Sequence, residues 1–207
     1  MVKQERAART RESLVHAAAE VFAHEGFTAA SIAAISQRAG VSTGALHFHF
    51  DGKTSLALVV EERAERTLRE AAAVAEGRGP AGGPLRVLVE STYALAEDVV
   101  VRAAFALCAD AAHSSRVDLR GQWRRRAEEL LVEAERAGLL AEGVSPQDAT
   151  RLVVALTVGL EGLEGGEPGP GARQLLTRIW SVVLPGIASG EVEPEVLVEA
   201  FAAKETD

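Results

Sequence analysis

An all-α fold is predicted by three features of this sequence. Ala and Leu, which are good helix formers, abound, whereas aromatic residues, which strands prefer, make up only 4% of the chain. Apolar residues recur at spacings of three and four, as on one face of a helix. Gly, Pro and Ser interrupt these stretches where helices should begin and end. We therefore predict nine or ten helices and no strand: three closely spaced helices, a long connector and a helical bundle.

The first three predicted helices lie close together in the sequence. The first spans about residues 5–25 and ends at Gly26, because glycine tolerates a positive φ just past a helix end. Ser31 and Ser42 are the predicted N-caps of two short helices, with a turn at Gly40 between them. Residues 1–50 are therefore predicted to form one small domain.

A long fourth helix, capped by Asp51 and reaching about Glu76, is predicted to be the only covalent link between this head and the rest of the chain. Residues 77–84 are too rich in Gly and Pro to continue it. We assign residues 51–207 to the second domain, with 51–76 as its connecting helix. Further helices are predicted over about 85–97, 99–112, 116–137, 146–162, 172–189 and 194–204.

Composition and charge exclude several classes of protein. The single cysteine, Cys108, excludes an internal disulfide and a cysteine-rich zinc site. Apolar runs stay well short of the ~20 residues that span a bilayer, and the N-terminal segment is charged, so we expect a cytoplasmic location. The net charge is −8, but residues 1–53 carry +1 and the remainder −9. An acidic body with a basic tip can bind DNA with one end only.

Two short helices joined by a turn, behind a longer supporting helix, form the helix-turn-helix pattern. The second short helix must enter the major groove of DNA with its N-terminus first. Ser42 and Thr43 are short hydroxylic residues where helix amides also point toward phosphate, and Gly44 allows the backbone close to DNA. The apolar residues of this helix anchor it to its own core, so His47 points elsewhere.

The stretch from Phe27 to Lys53, which contains AGVSTGALHFHFDGK, resembles the head of the TetR family. Together with QERAARTR at residues 4–11, it is most similar to the γ-butyrolactone receptors and pseudo-receptors of antibiotic-producing actinomycetes. The resemblance implies a repressor that binds palindromic operator DNA as a homodimer. Its release would follow binding of a small hydrophobic effector, and it would control secondary metabolism. No enzymatic activity, cofactor, metal or membrane is implied.

Carried over position by position, the resemblance implies DNA contacts from Arg9, Arg11, Ser31, Ser42, Thr43, Gly44, His47 and Lys53. The family usually has Lys or Arg where this chain has Thr43, and Tyr where it has His47. The first difference removes a charge that pairs with phosphate, so we expect binding that is weaker or retuned in sequence. Two alternatives remain open. The two serines could act only as N-caps, and the two arginines could simply form a solvated face of their helix.

The resemblance also implies a ligand pocket and a dimer face in the second domain. Trp123 matches a pocket tryptophan of the butyrolactone receptors, and Thr157 is a lone hydroxyl in an apolar helix that could instead bond back to its own backbone. Phe105, Cys108 and Leu88 could line either a pocket or a dry core. The predicted dimer seam lies on the helices near 146–162 and 172–189, at Leu152, Leu156, Gly159, Leu176, Ile179, Trp180 and Val183.

Other classes of protein remain as alternatives. An enzyme is disfavoured because the sequence has no phosphate-binding loop, nucleophile elbow, zinc-protease or dinucleotide motif. A divergent TetR-type regulator of an efflux or catabolic gene stays open. So does a helical scaffold that binds neither DNA nor ligand.

Overall fold

The computed structural model describes residues 2–77, 83–163 and 170–190, and it confirms the all-α prediction. These residues form nine helices and, apart from one isolated bridge between Leu140 and Ala188, no strand pairing. None of the described helices is both long and apolar enough to cross a membrane. The predicted helix over 194–204 lies outside the described residues. The helices are α1 (Val2–Ala29), α2 (Ile32–Arg38), α3 (Thr43–His49), α4 (Lys53–Gly77), α5 (Gly83–Glu97), α6 (Val99–Ala109), α7 (Leu119–Arg136), α8 (Pro146–Leu163) and α9 (Pro170–Ile187).

The chain divides into two compact units. The first contains the residues up to Thr67 together with Asp98–Arg120, so it holds α1 to α3, the first part of α4, and α6. The second contains the remaining described residues, including α5, α8, α9 and most of α7. The sequence predicted α4 as the only covalent link between the head and the rest of the chain. In the structure the chain passes between the two units at three described points. The domain boundary predicted between residues 50 and 51 stays a prediction.

The turn chemistry of the head agrees with the sequence. Gly26 has a φ of 73° and interrupts α1, after which one more turn continues to Ala29. The Ser31 and Ser42 hydroxyl oxygens each accept a hydrogen bond from the backbone N–H three residues later, at 3.1 Å. Both serines are therefore N-caps, as predicted. Gly40, between α2 and α3, has a φ of 68°, which glycine adopts without steric cost.

The region between α6 and α7 differs from the prediction. The helix expected over 99–112 ends at Ala109, and the helix expected to begin at 116 begins at Leu119. Asp110 explains the early end because it takes an extended conformation and its carboxylate accepts the backbone N–H of Ala112 at 2.9 Å. Such local side-chain bonds compete with continued helix.

Each unit has its own apolar core. In the first, α6 packs along α1, and α2 and α3 pack against the same helix. Leu14, Phe22 and Leu46 are fully buried there. In the second unit, α5 packs against both α8 and α9. Trp180 of α9 is fully buried and donates its indole N–H to the Thr92 hydroxyl at 2.8 Å.

Candidate functional site

The short helix α3 presents one face to solvent and one to the core. Leu46 is 0% exposed and anchors the helix inside the first unit. Thr43, Gly44 and His47 are exposed, as is the N-cap Ser42. The sequence-predicted residues of the recognition helix thus lie together on an open surface. This is the arrangement that entry into a major groove requires.

The residues at the edges of this surface are also exposed. Arg9 and Arg11 lie on the open side of α1, and the Arg11 guanidinium stands 5.2 Å from the centre of the Phe50 ring. That cation–π contact ties the arginine to the end of α3 without neutralising its charge. Ser31 is exposed as well. Its oxygen accepts the capping bond, and a hydroxyl can donate another bond at the same time.

Lys53 has a structural role that sequence reasoning missed. Its ammonium donates to the carbonyl oxygens of Phe27 at 2.6 Å and Ala30 at 2.9 Å, and it stands 4.5 Å from the centre of the Phe27 ring. A cation is favourable at a helix C-terminus, where carbonyls lack helical partners. Lys53 therefore fastens the start of α4 to the end of α1. A phosphate contact from this side chain, as predicted, would compete with these carbonyls.

Asp110 joins the end of α6 to the kink of α1. Its carboxylate accepts the backbone N–H groups of Phe27 at 3.1 Å and Thr28 at 3.2 Å, as well as the Thr28 hydroxyl at 3.3 Å. The N–H of Ala112, followed by the bonds from Thr28 and Phe27, lowers the pKa of this carboxyl below its usual value, against partial desolvation. The head is thereby hydrogen-bonded to a helix that carries two of the predicted ligand residues.

We expect the substitution Asp110→Asn to lower the free energy of unfolding near neutral pH and to reduce its dependence on acid. Because folding lowers the pKa of Asp110, its contribution is complete above the unfolded value of about 3.9 and is lost as the pH falls through the folded value. Urea unfolding of both proteins should therefore show a difference in stability that is constant near neutral pH and narrows as the pH falls below about 4. A difference that stayed constant throughout this fall in pH would contradict the role given to the carboxylate.

A buried polar cluster joins α4 to the segment after α6 within the first unit. Glu61 is 0% exposed, and one of its carboxylate oxygens lies 3.0 Å from Nε2 of His113. The Ser115 hydroxyl donates to the same oxygen, and the Arg116 N–H donates to the other at 3.3 Å. The Phe27 ring covers the imidazole at 4.7 Å between ring centres. Sequence reasoning did not find this cluster.

Two predicted ligand residues meet in the second unit. The Trp123 indole N–H donates to the Thr157 hydroxyl at 3.0 Å, and both side chains are buried. The same hydroxyl lies 2.9 Å from the Val154 carbonyl and 3.1 Å from that of Val153. The alternative that Thr157 bonds back to its own helix is therefore realised, alongside its bond to Trp123.

The other three predicted ligand residues are divided between the units. Leu88 is fully buried in the second unit. Phe105 and the half-buried Cys108 belong to the first, on α6. The Cys108 sulfur lies 3.2 Å from the Ser115 hydroxyl and 3.3 Å from the Val117 carbonyl. Its thiol is therefore hydrogen-bonded as a small core side chain would be.

The residues predicted for the dimer seam differ in their exposure. Leu152 is 44% exposed and Gly159 is exposed, while Leu156, Ile179 and Val183 are half-buried. Leu176 and Trp180 are 0% exposed inside their own unit, so they cannot form the contact surface of an interface. Two exposed residues of the same helices were not among those predicted: Val158 of α8 and Val182 of α9, the latter 77% exposed.

Comparison with known proteins gives a consistent picture. Residues 14–60 match the family described as bacterial regulatory proteins, tetR family. The sequence is 28% identical to the A-factor receptor protein of Streptomyces griseus, over 98% of this chain and 74% of that protein. These relatives are regulators and receptors and not enzymes.

Solved structures agree over nearly the whole chain. A γ-butyrolactone receptor, described as an ArpA-like protein, superposes with a TM-score of 0.73 at 26% identity, covering 95% of this chain and 96% of that one. CprB of Streptomyces coelicolor, in complex with its biological operator sequence, superposes with a TM-score of 0.76 at 25% identity, covering 98% and 100%. With its capped recognition helix exposed on a helix-turn-helix head, this chain matches the tetR family of bacterial regulatory proteins over residues 14–60 and is similar along nearly its whole length to the γ-butyrolactone receptors.

Proposed function

We propose that this regulator is a repressor that binds palindromic operator DNA as a homodimer and leaves it when a small hydrophobic effector binds. The observation that carries the proposal is the open face of α3, where Ser42, Thr43, Gly44 and His47 are exposed around a buried anchor. Short polar side chains and a bare backbone on a groove-sized helix suit contact with base edges and phosphates. The operator complex of the similar protein CprB supports this reading.

We assign the DNA contacts to the exposed residues of the head. Arg9 and Arg11 supply charge at the edge of α3, whereas Thr43 supplies a hydroxyl where the family usually has a cation. Since each phosphate contact contributes about one unit to the slope of log affinity against log salt, this chain should have a shallower slope than a relative with a basic residue there. Lys53, whose ammonium is held by the Phe27 and Ala30 carbonyls, supports DNA binding by positioning the start of α4, and a direct phosphate contact requires it to leave these carbonyls.

We place the effector site around Trp123 and Thr157. An indole supplies an apolar wall, and its N–H, which is donated to the Thr157 hydroxyl in this structure, can be donated instead to the carbonyl of a ligand, which together suit a lactone or another compact apolar ligand. The similarity to the A-factor receptor favours a γ-butyrolactone-like signal, and an antibiotic or biosynthetic intermediate would meet the same chemistry. Either effector would connect the repressor to secondary metabolism.

The release step in this proposal uses α6. An effector shifts the operator equilibrium only if it binds one conformation better than the other. Phe105 and Cys108 lie on α6, which packs along α1 and is hydrogen-bonded to its kink through Asp110. Movement of α6 would therefore change the position of α1 and, with it, the recognition helix.

The homodimer is the first testable part of the proposal. We expect light scattering to give twice the 21.8 kDa mass of the chain, with Leu152, Val158 and Val182 covered in the dimer. Because Val182 is 77% exposed within the chain, Val182→Asp should leave the fold intact and shift the protein toward monomer. Ala137→Asp, which adds the same charge at an exposed site outside α8 and α9, is the control. A wild-type monomer at micromolar concentration would contradict the homodimer.

Operator binding and its release test the function as a whole. DNA selected from a random library by the protein should be palindromic, with half-sites spaced by about one helical turn, and should bind less tightly as salt rises. A panel of γ-butyrolactones and antibiotics should contain a compound that releases it. A helical scaffold would select no sequence. A regulator of efflux or catabolism would select one but would respond to other compounds.

A further inference from the structure

The recognition helix carries one large side chain that is not packed. Phe48 is 82% exposed, the highest value among the large hydrophobic residues of the described part of the chain. Its ring makes an edge-to-face contact with His49, at 5.1 Å between ring centres, and the rest of it faces solvent. The neighbouring apolar residues Leu46 and Phe50 are 0% and 5% exposed. Packing in the core therefore does not explain why a phenyl ring stands at this position.

Phe48 lies on the face of α3 that is available to DNA. It follows Gly44 by four residues, just as His47 follows Thr43, so these four positions form two adjacent rows on one side of the helix. All four are exposed. Gly44 adds no side chain above or below the ring, so a nucleic-acid surface can approach Phe48 as closely as it approaches the backbone.

The remaining chemistry of α3 limits how it can read bases. Its seven residues, Thr43–His49, include no Lys, Arg, Asn, Gln, Asp or Glu. The bidentate contacts by which proteins recognise guanine and adenine are therefore not available from this helix. A phenyl ring can instead distinguish a base pair by apolar contact with the C5-methyl group of thymine, which lies in the major groove. Burial of that methyl group against an exposed ring removes apolar surface of both partners from water.

We propose that Phe48 reads the C5-methyl group of a thymine, and so selects an A·T pair at one position of each half-site. The inference rests on the proposed operator binding, and it names Phe48 as a specificity-determining residue. Thr43 and His47 then contribute hydrogen bonds from the row that lies beside this apolar contact.

Uracil substitution provides the test because uracil pairs as thymine does and lacks only the methyl group. DNA selected from a random library by the wild-type protein is resynthesised with uracil at one thymine at a time. One thymine in each half-site should be sensitive, with about a fourfold loss of affinity, as expected for one buried methyl group. Phe48→Ala should bind the unmodified site more weakly and should be indifferent to uracil at that position.

Two variants separate this role from a structural one. Phe48→Leu keeps an apolar side chain and should retain part of the sensitivity to uracil. Both variants should keep the thermal midpoint of the wild type, since the ring is exposed. Where Phe48→Ala binds too weakly to measure, lower salt raises the affinity of all proteins alike and restores the comparison.

The possible failures are distinguishable. If the wild-type protein selects no sequence, the proposed operator binding fails. If it selects a site in which every thymine tolerates uracil, or if Phe48→Ala keeps the same sensitivity at the same position, the methyl contact is refuted and operator binding stands.

Discussion

The substitution His113→Ala is expected to lower the free energy of unfolding by about 3 kcal/mol. His113 and Glu61 are both buried, and their side chains meet at 3.0 Å. Without the imidazole, the carboxylate, which is 0% exposed, keeps only the Ser115 hydroxyl and the Arg116 N–H. The contact between the imidazole and the Phe27 ring is lost as well, and a cavity replaces it.

Urea unfolding measures this effect, and two variants control it. His16→Ala removes a histidine from the exposed side of α1 in the same unit and should change the free energy by about 0.5 kcal/mol or less. In a double-mutant cycle, His113→Ala should cost less in a Glu61→Gln background, because an amide is cheaper to leave unpaired than a carboxylate. Equal costs in both backgrounds would show that the cavity, and not the polar pair, accounts for the loss.

The parts of the fold that local sequence determines were predicted well. The N-caps Ser31 and Ser42 bond to amides three residues away, and Gly26 acts through its own φ, so the pattern around each residue contains the whole cause. The surface of α3 followed from the same local reasoning. Phe48 was overlooked because an aromatic residue in a helix is usually a core residue, and only the accessible surface distinguishes the two cases.

The contacts that join distant segments could not be predicted. Lys53 bonds to carbonyls 23 to 26 residues away, and Asp110 bonds to amides 82 and 83 residues away. Glu61 lies 52 residues from His113. A charged residue in a single sequence does not indicate its partner at such separations, because burial and packing decide which groups meet.

The apolar helix α9 illustrates a different difficulty. Trp180 and Val182 are both apolar, but the first is 0% exposed and the second 77%. Such a helix has more apolar positions than one face can hold, so periodicity alone does not tell which of them the unit buries. Trp180 is held on the buried face by its hydrogen bond to Thr92, which is 88 residues away in the sequence. For this reason the seam proposed from the sequence contained Trp180 and omitted Val182.

The largest functional effect is expected at Trp123. Its indole is 6% exposed and donates to Thr157, so it combines an apolar wall with an N–H donor. Trp123→Ala removes both, and about 2 kcal/mol of lost ligand affinity would raise the effector concentration needed for release about thirtyfold. Operator affinity without effector should remain nearly unchanged, which would make the variant a repressor that stays bound at concentrations releasing the wild type.

Trp123→Phe separates the two contributions of the indole. The phenyl ring keeps much of the wall but cannot donate a hydrogen bond, while the Thr157 hydroxyl still lies within reach of the Val153 and Val154 carbonyls. This variant should therefore fold nearly as stably as the wild type, whereas the alanine variant should lose about 3 kcal/mol or more to the cavity. Release of the Trp123→Phe variant from operator DNA should require an effector concentration between those that release the wild type and Trp123→Ala.

The decisive measurement is the fluorescence anisotropy of labelled operator DNA during an effector titration of the three proteins. Leu119→Ala, which opens a cavity at a fully buried position of the same helix but in the first unit, controls for a general loss of stability. If stability alone governed release, the Leu119 and Trp123 alanine variants would respond alike. Release of Trp123→Ala at the wild-type effector concentration would assign the tryptophan to the core and place the effector site elsewhere.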